Sequence, residues 1–395
     1  MTFERESHGH KRRKAARLSC DESCKFNKTE RKIGMKKALI VTHVSGFVPQ
    51  FELNNVKTLQ ELGYEVHYAS NFNNVSYGND NSRLEGTGIV CHQVDFARSP
   101  FDFGAHKKAI RQLKKLMQTE EFSLLHCHTP VGAALSRIVA APYRKDGLKV
   151  LYTAHGFHFY KGAPWKYWLL FCPVERFLVG KTDVLITINE EDYERAKGFC
   201  KRKQTKVQYL PGVGVDLAYW SGKDLEPGKR EEIRADIRKE LGVADSEQML
   251  LSVGELIPRK NHEAVIRALA EEKKKGAKSF QYFICGQGDL KDYLQHLIDT
   301  LELSEEVTLL GYRKDIRTLL YGADLFVFPS KQEGMPMALM EAAAAGVNLK
   351  ASDIRGNREV MRDSNADAGT GISLPEKYDA GRVKETMKQI YKELQ

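Results

Sequence analysis

From Met35 onward, short β-branched runs alternate with longer amphipathic ones, and this rhythm most restricts what the chain can fold into. Candidate strands are Ala38 to Thr42, Glu65 to Ala69, Leu124 to Cys127, Val150 to Thr153, Val184 to Ile188 and Val207 to Leu210. Helix-length patterns lie between several of them, at Glu52 to Leu62, Ala105 to Gln118 and Glu190 to Phe199. Strands that alternate with helices imply a parallel sheet covered on both faces. The rhythm restarts after the glycine-rich link Pro211 to Asp216, with strands Met249 to Val253, Gln281 to Cys285, Val307 to Leu310 and Leu325 to Phe328 and helices from Asn261 and Leu290. The reading is α/β, with two Rossmann-like domains, 35–210 and 211–395, facing a central cleft. A terminal helix over 380–394 is expected to pack back on the first domain. The 395 residues fit this division at roughly 150 residues per domain.

Composition removes several classes. The 42% hydrophobic content fills real cores and excludes disorder. The longest almost wholly apolar stretch without a charge, Tyr167 to Val174, falls far short of the ~20 residues that span a bilayer. Seven scattered cysteines with no secretory signal suit a reducing cytoplasm. The net charge of +9 divides into +5 over 1–34, +8 over 35–210 and −4 over 211–395, so the first domain is expected to face something anionic. Residues 1–34, with the run Lys11 to Lys14, read as a disordered basic tail without chemistry. Cys20 and Cys24 with His8 and His10 fit no common zinc spacing. No nucleic-acid motif supports the basic charge, and none is expected as a partner.

In such folds ligands bind beyond the carboxyl ends of the strands, so the residues that follow each strand carry the functional reading. After Phe328 the chain runs Pro329 to Glu341, with Glu333 and Glu341 flanking seven residues and Pro336 suited to a first helical turn. The N–H groups of Gly334, Met335 and Met337 would open a helix N-terminus, where an anion is favoured. Glu341 could accept two ribose hydroxyls, and Glu333 could do the same for a sugar ring. A second segment, Val253 to Asn261, places Arg259 and Lys260 after a strand and a glycine, a fork and an ammonium able to oppose diphosphate charge.

These motifs resemble the family 4 retaining glycosyltransferases of the GT-B fold. The likeness lies in the E-x7-E spacing set between Phe328-Pro329-Ser330 and Glu341-Ala342-Ala343-Ala344-Ala345-Gly346. The loop Thr153 to Pro164, with His155-Gly156-Phe157-His158, is similar to that of the bacterial capsule and exopolysaccharide branch. The resemblance implies sugar transfer from a nucleotide-sugar donor, expected to be UDP-linked, with retention, to a lipid-linked glycan acceptor. It implies His155, Arg259, Lys260 and Glu333 as catalytic residues, and Gly46, Gly334, Met335, Pro336, Met337 and Glu341 as donor-binding ones. No cofactor and no metal held by the protein are implied, although His126, Cys127 and His128 beside the loop could be read as a metal site. Glu255 stands where relatives often carry an arginine, Asn348 where a proline is common, and the chain between Pro375 and its terminal helix is short for the family.

Lys107, Lys108, Arg111, Lys114 and Lys115 share one arc of a helical wheel opposite Ile110, Leu113, Leu116 and Met117. The arc is either a solvated face or a docking face for an anionic membrane surface, which would make the enzyme cytoplasmic and peripheral on the inner side of the cell membrane. Trp165, Tyr167, Trp168 and Phe171 are either core or a contact for the acceptor lipid, core being the favoured reading. Two other functions stay open: a UDP-sugar 2-epimerase of the same fold, which would need no acceptor, and a non-catalytic nucleotide- or nucleic-acid-binding protein. The absence of G-x-G-x-x-G after the first strand speaks against a nicotinamide enzyme.

Overall fold

The computed structural model describes residues 35–73, 81–201, 203–276, 279–366 and 371–395. The basic tail and its cysteine and histidine pairs lie outside the described residues.

The first sheet holds β1 (Lys37–Val41), β2 (Glu65–Ser70), β3 (Val90–Gln93), β4 (Phe122–His128), β5 (Lys149–Ala154), β6 (Val184–Thr187) and β7 (Lys206–Tyr209). Their order is β3-β2-β1-β4-β5-β6-β7, and the pairings are parallel. Its helices are α1 (Leu53–Glu61), entered through the π-helical turn Val48–Glu52, then α2 (Phe103–Thr119), α3 (Pro130–Ala140), α4 (Trp165–Leu178) and α5 (Glu190–Cys200). The second half contains α6 (Leu217–Ser221), α7 (Lys229–Glu240), β8 (Gln248–Val253), α8 (His262–Lys274), β9 (Phe280–Cys285), α9 (Lys291–Thr300), β10 (Val307–Gly311) and α10 (Ile316–Gly322). It continues with β11 (Leu325–Phe328), α11 (Met337–Ala344), β12 (Asn348–Ala351), α12 (Arg355–Asp363) and α13 (Ala380–Glu393). The second sheet is also parallel, in the order β10-β9-β8-β11-β12.

The period of two along β1 sorts its side chains into two layers. Leu39 and Val41 join the apolar cluster under α2 and α3. Ala38 and Ile40 join the cluster on the other face, with Val56 and Leu59 of α1. Met387, Ile390, Tyr391 and Leu394 complete that second cluster, so α13 lies on the first sheet. Asp379 caps α13 by accepting from the N–H groups of Gly381 and Arg382. Two chain segments therefore cross between the halves, and they meet: Val215 N–H donates to the Tyr378 carbonyl and Ala380 N–H to that of Val215, at 2.8 and 3.0 Å. Gly214 permits the crossing. It has φ +74°, and a Cβ there would stand 2.7 Å from the Ala380 Cα.

The expected helix from Glu52 begins as the π-turn and becomes α-helical only at Leu53. On α2 the inward stripe is Ala109, Leu113, Leu116 and Met117, with Ile110 only partly covered, and all five cations of the opposite arc are exposed. The favoured reading of the aromatic cluster as core holds for only part of it. Trp168 and Phe171 pack against the first core, but Trp165 is 75% exposed, because the inward stripe of α4 begins only at Trp168.

α4 is fastened through a buried ion pair. Arg137 of α3 donates through Nη2 to both Glu175 oxygens at 3.1 and 3.0 Å, and its guanidinium lies 3.9 Å from the centre of the Tyr152 ring. Glu175→Ala leaves that guanidinium buried without its counter-ion, and should destabilise the protein by about 3 to 5 kcal/mol, measured by chemical denaturation. A loss below about 1 kcal/mol, the level of an exposed pair, would contradict this account.

Candidate functional site

The carboxyl end of β11 delivers Pro329-Ser330 and then the turn Lys331 to Pro336 that starts α11. Pro336 is the N-cap residue and Met337 the first helical residue, so the chain leaves the sheet and turns within a few residues. Glu333, nearly buried, accepts from Arg259 and from Lys260 on the same oxygen, each at 2.8 Å. Arg259 also donates to the Gln332 carbonyl at 3.0 Å, and the Lys260 ammonium lies 4.9 Å from the Phe328 ring centre. Three of the residues singled out from sequence thus form one charge cluster at the ends of β8 and β11. Glu255 reaches Arg259 only at 3.8 Å and is half exposed. Glu341 lies on the second turn of α11, and burial raises its carboxyl to about 7.

Facing this cluster is the loop after β5. His155 Nε2 lies 3.0 Å from His128 Nδ1 and 3.8 Å from a Glu52 oxygen, and Phe47 meets its ring edge-on at 4.8 Å. Burial lowers the His155 imidazole to about 4, so it is neutral at physiological pH. Glu52 is buried and accepts from Asn55 at 2.5 Å, and burial raises its carboxyl to about 8. His128 is held well below its ordinary value for the same reason. Gly46 sits buried in the turn before Phe47, its carbonyl accepting from Gln50 N–H at 3.3 Å.

The two sides touch at Gly334. A Cβ on that residue would lie 2.2 Å from the His155 carbonyl oxygen, so only glycine lets the backbones approach this closely. Met335 is buried against Gly212 of the link. Arg355, at the start of α12, closes the contact. It bonds Asp192 at 2.6 Å and the Phe157 carbonyl at 2.9 Å, and lies over the Tyr160 ring at 4.6 Å. Beside it Glu359 accepts from Glu190 N–H at 2.9 Å and from the Tyr209 hydroxyl.

Sequence reasoning missed Glu52, Asp192 and Arg355 as partners of this site. A lone acid in the apolar run Val48 to Leu53 was the available signal for Glu52. The supposed trio His126, Cys127 and His128 does not converge, because alternate residues of β4 face opposite layers. Cys127 Sγ donates to the Leu151 carbonyl at 3.4 Å, while His126 is shared between Thr153 and Tyr391, each at 2.8 Å. Among the described residues, Glu52, His128 and His155 bring ligand-type atoms close enough to surround a cation, as do Glu190, Glu359 and Asp363. The two histidines of the first group bond each other; in the second group Glu190 and Asp363 are engaged by Arg362 and Lys377, while Glu359 accepts from Glu190 N–H and the Tyr209 hydroxyl.

Comparisons with known proteins agree with the architecture. The family described as Glycosyl transferase 4-like matches residues 36–189, and that described as Glycosyl transferases group 1 matches residues 233–394. The glycosyltransferase EpsD of Bacillus subtilis (strain 168) is 38% identical over 328 residues, 83% of this chain and 81% of that protein. The UDP-Gal:alpha-D-GlcNAc-diphosphoundecaprenol alpha-1,3-galactosyltransferase of Escherichia coli is 30% identical over 290 residues, 73% of this chain and 70% of its own. The crystal structure of Anabaena HepE in complex with UDP superposes with a TM-score of 0.65 at 17% identity, covering 91% of this chain and 100% of that one, a likeness of fold. Two parallel-sheet lobes, a clasped Glu333 facing His155 and these matches lead to one conclusion: the chain belongs to the family 4 glycosyltransferases of group 1, with the GT-B fold.

Proposed function

We propose that this glycosyltransferase moves a sugar from a UDP-sugar, with retention, to a lipid-linked glycan during surface polysaccharide synthesis, without a metal held by the protein. The observation that carries the reading is the contact of Gly334 with the His155 carbonyl, which sets the Arg259–Lys260–Glu333 cluster opposite a neutral imidazole. The UDP held by the HepE structure and the diphosphoundecaprenol acceptor in the galactosyltransferase's name support the choice of donor and acceptor. In this reading the diphosphate enters between Arg259 and Lys260, and Glu333 passes from counter-ion of the cations to partner of the donor sugar. The leaving phosphate takes the acceptor proton, so the protein supplies position and charge stabilisation. The site of action is the cytoplasmic side of the cell membrane, with the arc of Lys107, Lys108, Arg111, Lys114 and Lys115 toward anionic lipid. Lys108 is partly neutralised by Asp95 at 2.7 Å, and the other four cations of that arc have no acidic partner among the described residues.

Release of UDP with and without a lipid-linked acceptor tests the whole reading. His155→Ala should keep UDP binding and lose acceptor-dependent release by roughly 10²-fold, the scale of one positioned polar group. Equal release by both proteins removes the first-domain half of the site, and equal release with or without acceptor in the wild type removes the transferase reading.

Arg259→Ala and Lys260→Ala should lower kcat more than donor affinity, because the charge that they oppose is greatest as the glycosidic bond breaks. A change in KM alone contradicts that role.

Glu341 gives a signed pH dependence. Its ionised form is the better acceptor of two ribose hydroxyls, and its carboxyl titrates at about 7 in the free protein, so UDP affinity should rise from pH 6 to pH 8. Calorimetry on Glu341→Gln separates this from titration of the phosphate. The variant should bind more weakly by ~1.5 to 3 kcal/mol at pH 8 and show the smaller slope of UDP alone. Identical slopes would remove Glu341 from the ribose site.

A further inference from the structure

Among the described residues, no helix or strand covers the outer face of α4. Trp165, Leu169 and Phe177 are 75%, 67% and 64% exposed, and Val174 is also exposed. Residues four apart on a helix drift by only ~40° per step, so Trp165, Leu169, Pro173 and Phe177 form one continuous apolar ridge. Phe101 and Phe103, at the start of α2, are exposed as well. A ridge of this kind on a globular surface marks an interaction site.

Charge says what it meets. The one acid of α4, Glu175, is turned inward to Arg137. The remaining charges, Lys166 and Arg176, are exposed cations, and Lys181 follows with its ammonium 5.0 Å from the Phe177 ring centre. An isologous pairing of two copies through this face would set the three cations against their own images, which disfavours a second chain as the occupant. An anionic lipid surface satisfies both features, since the ridge enters the acyl boundary while the cations reach the headgroups. Fourteen residues make a helix of about 21 Å. No helix among the described residues is long and apolar enough to cross a membrane, so α4 would lie along the interface.

We propose that α4 is the membrane-seated element of this enzyme, its outer ridge inserted at headgroup level in an anionic bilayer and its inner side bearing on the loop that carries His155. The second half of that statement rests on direct contacts. Trp168 meets the Phe159 ring at 5.8 Å and Phe171 meets His158 at 4.7 Å, while the chain runs from His155 to Trp165 without another helix or strand between. A lipid-linked acceptor in the bilayer thus has its headgroup presented beside the cleft. The proposal builds on the acceptor class given above and names the element that holds the lipid.

The test uses the full chain and vesicles of phosphatidylcholine, with and without about one third phosphatidylglycerol. The wild type should co-sediment with the anionic vesicles, and brominated acyl chains should quench its tryptophan fluorescence. Trp165→Phe should still bind but lose most of the quenching, because Trp168 packs inward. Leu169→Ser with Phe177→Ser, both exposed in the folded protein, should lower vesicle partition at least tenfold and leave turnover of a water-soluble acceptor analogue within about twofold. Unchanged partition of the double variant, or quenching that survives Trp165→Phe, overturns the proposal. So does a wild-type dimer in light scattering that the double variant dissolves, which would make a second copy the occupant. Failure of the acceptor reading is separate: it would appear as equal turnover of lipid-linked and lipid-free acceptors, whatever the vesicles show.

Discussion

The buried pair Arg355–Asp192 is the contact on which the arrangement of the site depends. Its guanidinium starts α12 in the second half, yet its partners, Asp192 and the Phe157 carbonyl, belong to the first. Burial opposes the charge on Asp192 and raises its carboxyl, and the adjacent cation works against that shift. Removing either member would strand the other away from water, a cost of several kcal/mol. The pair thereby fixes the separation of the lobes at the point where Gly334 meets the His155 carbonyl. Asn189 and the Phe157 N–H also donate to Asp192, at 3.0 and 2.9 Å, so the loop after β5 and the start of α5 are held as one unit.

Within that frame the cations and the acid of the second lobe satisfy each other. Two donors on one Glu333 oxygen keep these charges paired, so any anion taken up by Arg259 and Lys260 would have to replace an acid already in contact with them. On the opposite wall, burial of Glu52, His128 and His155 removes net charge. The cleft therefore has one strongly charged wall and one nearly neutral wall, which suits a ligand with an anionic end and a sugar end.

Most of the two sheets could be read from sequence because their strands are buried on both faces and appear as unbroken apolar runs, as in Ala38 to Val41 or Met249 to Leu251. The strands β3 and β12 escaped for the opposite reason. They are edge strands, half exposed, and the segments Val90–Gln93 and Asn348–Ala351 show neither a run nor a clean alternation. Helix α4 escaped because apolar residues occupy both its inner and its outer faces, which hides the period of 3.6 that would reveal it. The cluster of Glu333, Arg259 and Lys260 was legible in part, since each residue follows a strand of the same sheet. The contact of Arg355 with Asp192 was not, as it joins positions 163 residues apart that share no motif.

The crossing at Gly214 and Ala380 limits how the lobes can move. Both covalent connections between them pass through this one place and are hydrogen-bonded to each other there. Two tethers bound together act as a single pivot, so sliding of one lobe along the other is denied and rotation remains. Any opening, which would first have to break the Arg355–Asp192 pair, would be like that of the covers of a book, with Val215 and Asp379 at the spine. Because α13 is seated on the first sheet, the last residues of the chain travel with the opposite cover from the one that precedes them in sequence.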